Sequence, residues 1–229
     1  MSLTQAPKGH RFPLSIINQV VWLYHRFNHS YRDIQNQMAF RGIILSHETV
    51  REWCTKFARH FSYIIKKRSR KPSDKWRLDE MILTIKGKTF ILWRAVDSDG
   101  WELDVFVQKH RNKKAAIRFL TRLLGAHPMP RVIITDKLKS STKPLKYMCP
   151  QAKHRSHKRL NNRVENAHQP TRRKEKCLIR FKSAPQAQRV LSLMGKVRNI
   201  FSVDGGRYTK NASDRRLAFA KAKDFWTEA

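Results

Sequence analysis

The stretch that decides the fold is residues 76–85, WRLDEMILTI, an apolar and strand-like run interrupted by Asp79 and Glu80. Two further β-rich runs follow it, TFILWRAVD at 89–97 and WELDVFVQ at 101–108. The separators, KGK at 86–88 and DSDG at 97–100, are rich in the residues that tight turns favour. The sequence therefore predicts three consecutive antiparallel strands joined by tight turns.

The segments that follow complete the pattern of a mixed sheet. NKKAAIRFLTRLL at 112–124 has the periodicity of an amphipathic helix. RVIIT at 131–135 is a short continuous apolar run, as expected of a strand that is buried on both faces and parallel to its neighbour. A three-strand meander, a helix and a buried parallel strand, in that order, predict an α/β domain with a ribonuclease-H-like core.

Asp79 and Asp136 are the two acids that this fold does not explain. Asp79 lies within a strand, flanked by Leu78 and Met81, where an unpaired carboxylate would be costly to desolvate. It must therefore bind a metal or pair with one of the many nearby lysines and arginines. Asp136 follows the strand at 131–135, and open α/β sheets bind their ligands beyond the carboxyl ends of strands. Its alternative role is to cap the helix that follows.

The other acids of this region have ordinary explanations. Asp97 and Asp99 suit the turn between the second and third strands. Glu80, Glu102 and Asp104 can alternate outward along their strands.

Glu165 is a third candidate, because it is an acid in a strongly basic helical stretch. From residue 137 to residue 182 the chain has fifteen lysines and arginines, and its only acids there are Glu165 and Glu175. A surface helix in which Glu165 pairs with basic neighbours is one explanation. The other is a metal ligand: three carboxylates held close together repel one another, and bound divalent cations remove that repulsion.

The N-terminal third predicts a small helical bundle. Residues 14–27 are amphipathic, Ser30 and Asp33 have the spacing of a capping box, and Ser46 begins a third helix that runs to about residue 59. Three short helices with a glycine before the third favour a helix-turn-helix, although any small bundle has similar periodicity. In that motif the third helix enters the major groove. Its predicted DNA-binding residues are His47, Thr49, Arg51 and Lys56.

Composition and charge point to nucleic acid as the partner. The chain has 49 Lys and Arg against 17 Asp and Glu, a net charge of +32, and phosphate contacts would relieve that self-repulsion. No apolar run is long enough to span a membrane and no signal peptide is evident, so a cytoplasmic, nucleoid-associated protein is expected. The three cysteines lack disulfide or finger spacing; a zinc site of Cys149, His154, His157 and Cys177 is a minor alternative.

The predicted domain boundaries follow the changes in periodicity and charge. Residues 1–62 form the helix-turn-helix domain, 63–73 a basic linker, 74–200 the ribonuclease-H-like catalytic domain and 201–229 a basic C-terminal tail. Within the tail, a short helix is predicted from Asp214 to Asp224.

These residues resemble bacterial insertion-sequence transposases of the IS-six family, which belong to the DDE class. The similarity runs nearly end to end. Its motifs are Ser30-Tyr31-Arg32-Asp33, Arg41-Gly42-Ile43, Ser46-His47-Glu48-Thr49, Trp76-x-x-Asp79-Glu80, Thr135-Asp136-Lys137, Leu160-Asn161-Asn162-Arg163-x-Glu165-Asn166, His168-Gln169-x-Thr171-Arg172-Arg173 and Arg180-Phe181-Lys182-Ser183. One departure is KSSTKP at 139–144, where Pro144 is expected to weaken the helix after Asp136.

The resemblance implies a DDE transposase with Asp79, Asp136 and Glu165 as catalytic metal ligands. The implied cofactor is Mg²⁺, with Mn²⁺ able to substitute, and the chemistry is nicking and strand transfer at DNA. The implied partners are double-stranded DNA, as terminal inverted repeats and as target, and a second copy of the chain. Phosphate contacts are expected from the following basic residues: Lys137, Arg172 and Arg173.

Three other functions fit part of the sequence. A catalytically inactive DNA-binding protein, either a regulator or a decayed transposase, would explain the helix-turn-helix and the charge. A ribosomal type of RNA-binding protein would explain the charge alone. A nuclease of the same fold would cut DNA without joining it.

Overall fold

The computed structural model describes residues 5–136, 139–156, 162–202 and 211–228, without the side chains of 139–141 and 162–167. The chain divides into two compact units. One unit consists of residues 1–69 together with 193–229, and the other consists of residues 70–192.

The first unit is helical and is built around a buried apolar core. Its helices are α1 (Leu14–Arg26), α2 (Tyr31–Phe40), α3 (His47–Lys56), α4 (Ala58–Arg68) and, near the C-terminus, α9 (Ala212–Thr227). Ile17 and Tyr24 of α1, Ile34 of α2, Val50 of α3 and Phe61 of α4 are all fully buried. The apolar periodicity that predicted the first three helices therefore forms this core.

The ends of α2 and α3 are fixed by local hydrogen bonds. Ser30 and Asp33 form the predicted capping box at the start of α2, and Ser46 accepts the backbone N–H of Thr49 at the start of α3. Between them, Gly42 has φ +75° and donates its N–H to the carbonyl of Ala39, which closes the end of α2. This turn sets α3 against α2, as a helix-turn-helix requires.

Helix α4 extends into the predicted basic linker, and the short helix predicted in the C-terminal tail is longer than expected. Helix α4 begins at Ala58, directly after a break at Phe57, and continues to Arg68 because Ile65 is buried in the core. Residues 212–227 form α9, whose Trp226 stacks on Phe61 with ring centroids 4.5 Å apart. An aromatic pair of this kind contributes stability beyond its buried area, which explains why the C-terminal segment joins this unit.

The second unit is a five-stranded mixed sheet with helices. Its elements are β1 (Lys75–Ile85), β2 (Lys88–Asp97), β3 (Glu102–Gln108), α5 (Lys113–Leu124), β4 (Val132–Thr135), α6 (Lys139–Met148), β5 (Lys153–Ser156) and α7 (Asn162–Cys177). Helix α8 (Ala184–Ile200) begins in this unit, and its residues from 193 onward belong to the first unit. The strand order is β3-β2-β1-β4-β5. β2 pairs in antiparallel with both β1 and β3, whereas β4 pairs in parallel with both β1 and β5. The predicted ribonuclease-H-like fold is confirmed.

One face of this sheet packs on α5. Trp76 and Leu78 of β1 and Trp93 of β2 meet Phe119 and Leu120 of α5 in a buried cluster. Because strand side chains alternate between faces, Asp79 must lie on the opposite face from Leu78. On that opposite face, α7 packs against β1 and β2.

The sequence analysis missed β5 and expected a weak helix at Pro144. β5 has the sequence KHRS, which offers no apolar pattern, and it is held by parallel pairing to β4. Pro144 lies inside α6, so this helix forms although one of its backbone N–H donors is missing.

The end of α7 carries backbone strain that a substitution should relieve. Ile179 has φ +49° and Arg180 has φ +66°, the left-handed region that β-branched residues rarely adopt. Ile179 is 80% exposed, so its side chain contributes little apolar burial. We expect Ile179→Asn to raise the free energy of unfolding by about 1 kcal/mol in urea denaturation, since asparagine tolerates this conformation.

The matched control is Ile117→Asn on helix α5. Ile117 is also exposed, but it has ordinary helical geometry. If the free energy of unfolding rises in both variants, or in neither, the backbone strain at Ile179 is contradicted.

Candidate active site

The sheet brings Asp79 and Asp136 to neighbouring backbone positions. In the parallel pairing of β1 with β4, Leu78 lies opposite Thr135. Asp79 is the next residue of β1, and Asp136 directly follows the last residue of β4, so the two residues lie side by side at the carboxyl end of β4. The Asp79 side chain is only 13% exposed and Asp136 is half-buried. Two carboxylates at the carboxyl end of a parallel strand lie where open α/β sheets bind ligands.

Both carboxylate oxygens of Asp79 have polar partners. Oδ1 accepts the backbone N–H of Glu80 at 2.8 Å. Oδ2 lies 3.1 Å from Nε2 of His168, a residue of α7. The carboxylate is therefore oriented by the sheet from one side and by α7 from the other.

Behind His168 lies a buried arginine that the sequence analysis did not identify. Arg94 of β2 is 1% exposed, and its register partner on β1 is Asp79. One guanidinium nitrogen lies 3.1 Å from Nδ1 of His168 and another donates to Thr171 Oγ1 at 2.6 Å. Nε lies 3.0 Å from a carboxylate oxygen of Glu102. A buried charge with this set of partners ties β2, β3 and α7 together.

Glu80 points away from Asp79, into the α5 side of the sheet. Its side chain is 5% exposed and pairs with Arg111, so the expectation that Glu80 alternates outward into solvent is wrong. Burial raises the pKa of Glu80 to about 7; the Asp79 charge adds to this rise, while Arg111 opposes it.

Glu165 lies on α7, the helix that packs against β1 and β2. Its side chain is outside the described residues, so the structure describes the carboxylates of Asp79 and Asp136 but not the third of the predicted set. Among the side chains that are described, no group of three or more His, Cys, Asp or Glu is arranged to hold a metal.

The described residues of the zinc alternative do not form a metal-binding group either. Cys149 is buried, and burial raises the pKa of its thiol, which disfavours the thiolate that zinc requires. His154 hydrogen-bonds to Thr135 instead. His157 lies outside the described residues.

The predicted DNA-binding residues of α3 lie on its accessible side. Arg51 and Lys56 are exposed, while His47 and Thr49 are half-buried. Arg51 Nε lies 2.6 Å from a carboxylate oxygen of Glu48, an ion pair that phosphate or a base would have to replace. The four predicted DNA contacts therefore lie on one helix.

The other predicted DNA contacts lie in the second unit. Arg172 and Arg173 are exposed on α7, and Arg172 pairs with Glu175 at 3.2 Å. Lys137 lies outside the described residues.

His154 makes the stability of the fold dependent on pH. Its Nε2 lies 2.9 Å from Thr135 Oγ1, and burial lowers the pKa of the imidazole. Below about pH 6.5 the unfolded chain therefore binds a proton that the folded chain resists, so stability is lost as the pH falls through this window. We expect His154→Gln, whose amide reaches the same hydroxyl, to flatten the fall in urea-unfolding free energy between pH 7 and pH 5.

The control for that measurement is His60→Gln, because His60 is exposed in α4. A pH profile unchanged by His154→Gln would contradict the role of burial at His154.

The strand order, with Asp79 of β1 beside Asp136 at the carboxyl end of β4, is that of the ribonuclease-H-like fold class. A family model described as a DDE domain matches residues 73–204. The transposase for insertion sequence-like element IS431mec of Staphylococcus aureus is 34% identical over 163 residues, which cover 69% of this chain and 73% of that protein. The chain belongs to the DDE transposases of bacterial insertion sequences, in the IS-six family, and this membership assigns it to DNA transposition.

Two further proteins are similar to this chain. The transposase for insertion sequence element IS257 in transposon Tn4003 of Staphylococcus aureus is also 34% identical over 163 residues, 69% of this chain and 73% of that protein. The HTLV-2 integrase catalytic core domain in complex with magnesium, trimeric form, is 17% identical with a TM-score of 0.37, covering 70% of this chain and 87% of that one. Separately, no helix in the described part of the chain has the length and apolar character needed to cross a membrane.

Proposed function

We propose that this chain binds the terminal inverted repeats of its element and catalyses metal-dependent nicking and strand transfer. The observation that carries the proposal is that Asp79, within β1, lies beside Asp136 at the carboxyl end of β4. Asp79 is mid-strand and only 13% exposed, a position where a carboxylate needs compensating partners. Held together without a cation, the two carboxylates would repel each other.

The donors fit Mg²⁺. Asp79 and Asp136 supply carboxylate oxygens, the hard ligands that Mg²⁺ and Mn²⁺ prefer, and Glu165 on α7 is the proposed third ligand. When bound, the metal supplies Lewis-acid polarisation of a phosphate and a deprotonated water at neutral pH. The protein's contribution is to hold the carboxylates at fixed positions on a buried sheet, so that little reorganisation accompanies the reaction.

The remaining parts of the chain would bind and align DNA. The exposed residues of α3 would read an inverted repeat in the major groove. Arg172 and Arg173, exposed on α7, would hold phosphates beside the carboxylates, as would Lys137. Because two element ends must be joined to one target, we propose that at least two copies of the chain act together on DNA.

The test is an incubation of the purified chain with labelled duplex carrying an end of its element, in Mg²⁺, Mn²⁺ or EDTA. We expect nicking at the element end and joining to a target duplex in either metal, and neither product in EDTA. A duplex with a scrambled end is the control. Cutting without joining would indicate a nuclease, and tight binding without strand breakage in any metal would overturn the catalytic proposal.

A further inference from the structure

Arg94 decides which nitrogen of His168 carries a proton. An arginine guanidinium is always protonated and can only donate hydrogen bonds. One of its nitrogens lies 3.1 Å from Nδ1 of His168. Two donors cannot face each other at this distance, so Nδ1 must be the acceptor and the imidazole proton must be on Nε2.

We infer that His168 is a positioning residue, fixed by Arg94 as the Nε2–H tautomer, that orients the Asp79 carboxylate for metal binding; this inference rests on the proposed function. Nε2 lies 3.1 Å from Asp79 Oδ2, so the proton on Nε2 is donated to that oxygen. In the opposite tautomer, the lone pair of Nε2 would face the Asp79 carboxylate. The N–H of Nδ1 would face an N–H of Arg94.

Arg94 can impose this tautomer because it is itself held in place. Glu102 lies 3.0 Å from its Nε, and the hydroxyl of Thr171 accepts a hydrogen bond of 2.6 Å from its NH2 group. Thr171 follows His168 by three residues on α7, so both face β2 from the same side of the helix. With 1% exposure, the guanidinium has little water to exchange with.

This arrangement couples the two elements that carry the proposed metal ligands. Asp79 is on β1, whereas His168 lies on α7 three residues after Glu165. The contacts that orient Asp79 therefore also fix the turn of α7 to which Glu165 belongs. Hydrogen-bonding partners that orient metal ligands change metal affinity or activity by about 10–100-fold when they are removed.

Two near-isosteric substitutions separate the donor function from mere packing. In His168→Gln the side-chain amide nitrogen can reach the position of Nε2 and donate to Asp79. In His168→Asn the amide lies near the position of Nδ1, so Arg94 keeps an acceptor but Asp79 loses its donor. The full-length chain is used throughout, and thermal unfolding by circular dichroism verifies that each variant is folded. His168→Ser, whose hydroxyl is too short to reach Asp79, serves as the second variant without a donor to Asp79 should His168→Asn unfold.

The readout is Mn²⁺ affinity, measured from the electron paramagnetic resonance signal of the free ion, beside the Mg²⁺ midpoint for nicking. We expect the donor-free variant to weaken Mn²⁺ binding by about tenfold or more. His168→Gln should stay within about threefold of the parent, and binding of the element-end duplex should not change in any variant.

Parental Mn²⁺ affinity in the donor-free variant would overturn the inference, as would equal losses in His168→Asn and His168→Gln. If the proposed function itself is wrong, the results differ from these: the parent chain binds no Mn²⁺ and cuts no DNA, and Asp79→Asn changes neither result.

Discussion

Asp136→Asn should reduce nicking and strand transfer on the order of 10³-fold or more, while binding of the element-end duplex is unchanged. The amide cannot supply the negative charge that a divalent cation needs, and a metal centre contributes several kcal/mol to stabilising a phosphoryl-transfer transition state. Asp136 follows the last residue of β4, so the substitution leaves the paired backbone intact.

The matched control is Asp99→Asn, an exposed carboxylate in the turn between β2 and β3. It should retain parental activity. The assay compares initial rates on a labelled duplex in Mg²⁺ and duplex affinity in EDTA. If Asp136→Asn loses duplex binding or thermal stability along with its activity, Asp136 is structural and the proposed site is wrong.

Arg94→Met should lower the free energy of unfolding by about 3–5 kcal/mol, because it leaves the carboxylate of Glu102 without its buried cation. Methionine fills part of the space, so lost volume accounts for little of the effect. The acceptor Nδ1 of His168 and the hydroxyl of Thr171 lose their donor in the same change. Urea denaturation of the metal-free chain measures the effect.

Arg122→Met is the control, since Arg122 also pairs with a carboxylate, that of Asp104, but is 45% exposed. Surface pairs of this kind contribute about 0–1 kcal/mol. Equal effects at Arg94 and Arg122 would contradict the claim that Arg94 is the buried centre of the site.

The features predicted correctly from the sequence are those that local physics determines. The Ser30 capping box depends on residues three apart, and the Lys86-Gly87 hairpin on a turn in which both residues have positive φ. Asp79 and Asp136 could be singled out because each is anomalous in its own segment. The burial of one and the strand-end position of the other are visible without knowing what lies opposite.

The features that were missed depend on contacts distant in sequence. Arg94 and His168 are 74 residues apart, and neither is unusual within its own segment. An arginine in an apolar strand could have signalled a buried ion pair, but its partners could not be deduced. Glu80 was expected to point outward, because alternation alone does not show that α5 and Arg111 cover that face of the sheet.

In the helical unit, too, local features were predictable and contacts distant in sequence were not. Helix caps and apolar periodicity predicted α1, α2 and α3, whereas the contribution of α9 depends on Trp226 reaching Phe61 across most of the chain. A short helix was predicted in this basic tail, but a single tryptophan does not show which core the helix joins.

The central claim, a divalent metal held by Asp79, Asp136 and Glu165, is tested most directly by iron-directed cleavage of the protein itself. Fe²⁺ replaces Mg²⁺ in the full-length chain, ascorbate and peroxide generate hydroxyl radicals, and mass spectrometry locates the backbone cuts. We expect cuts clustered near residues 79, 136 and 165, all suppressed by excess Mg²⁺. Cuts elsewhere, such as near Cys149 and His154, with none at 79 and 136, would contradict it.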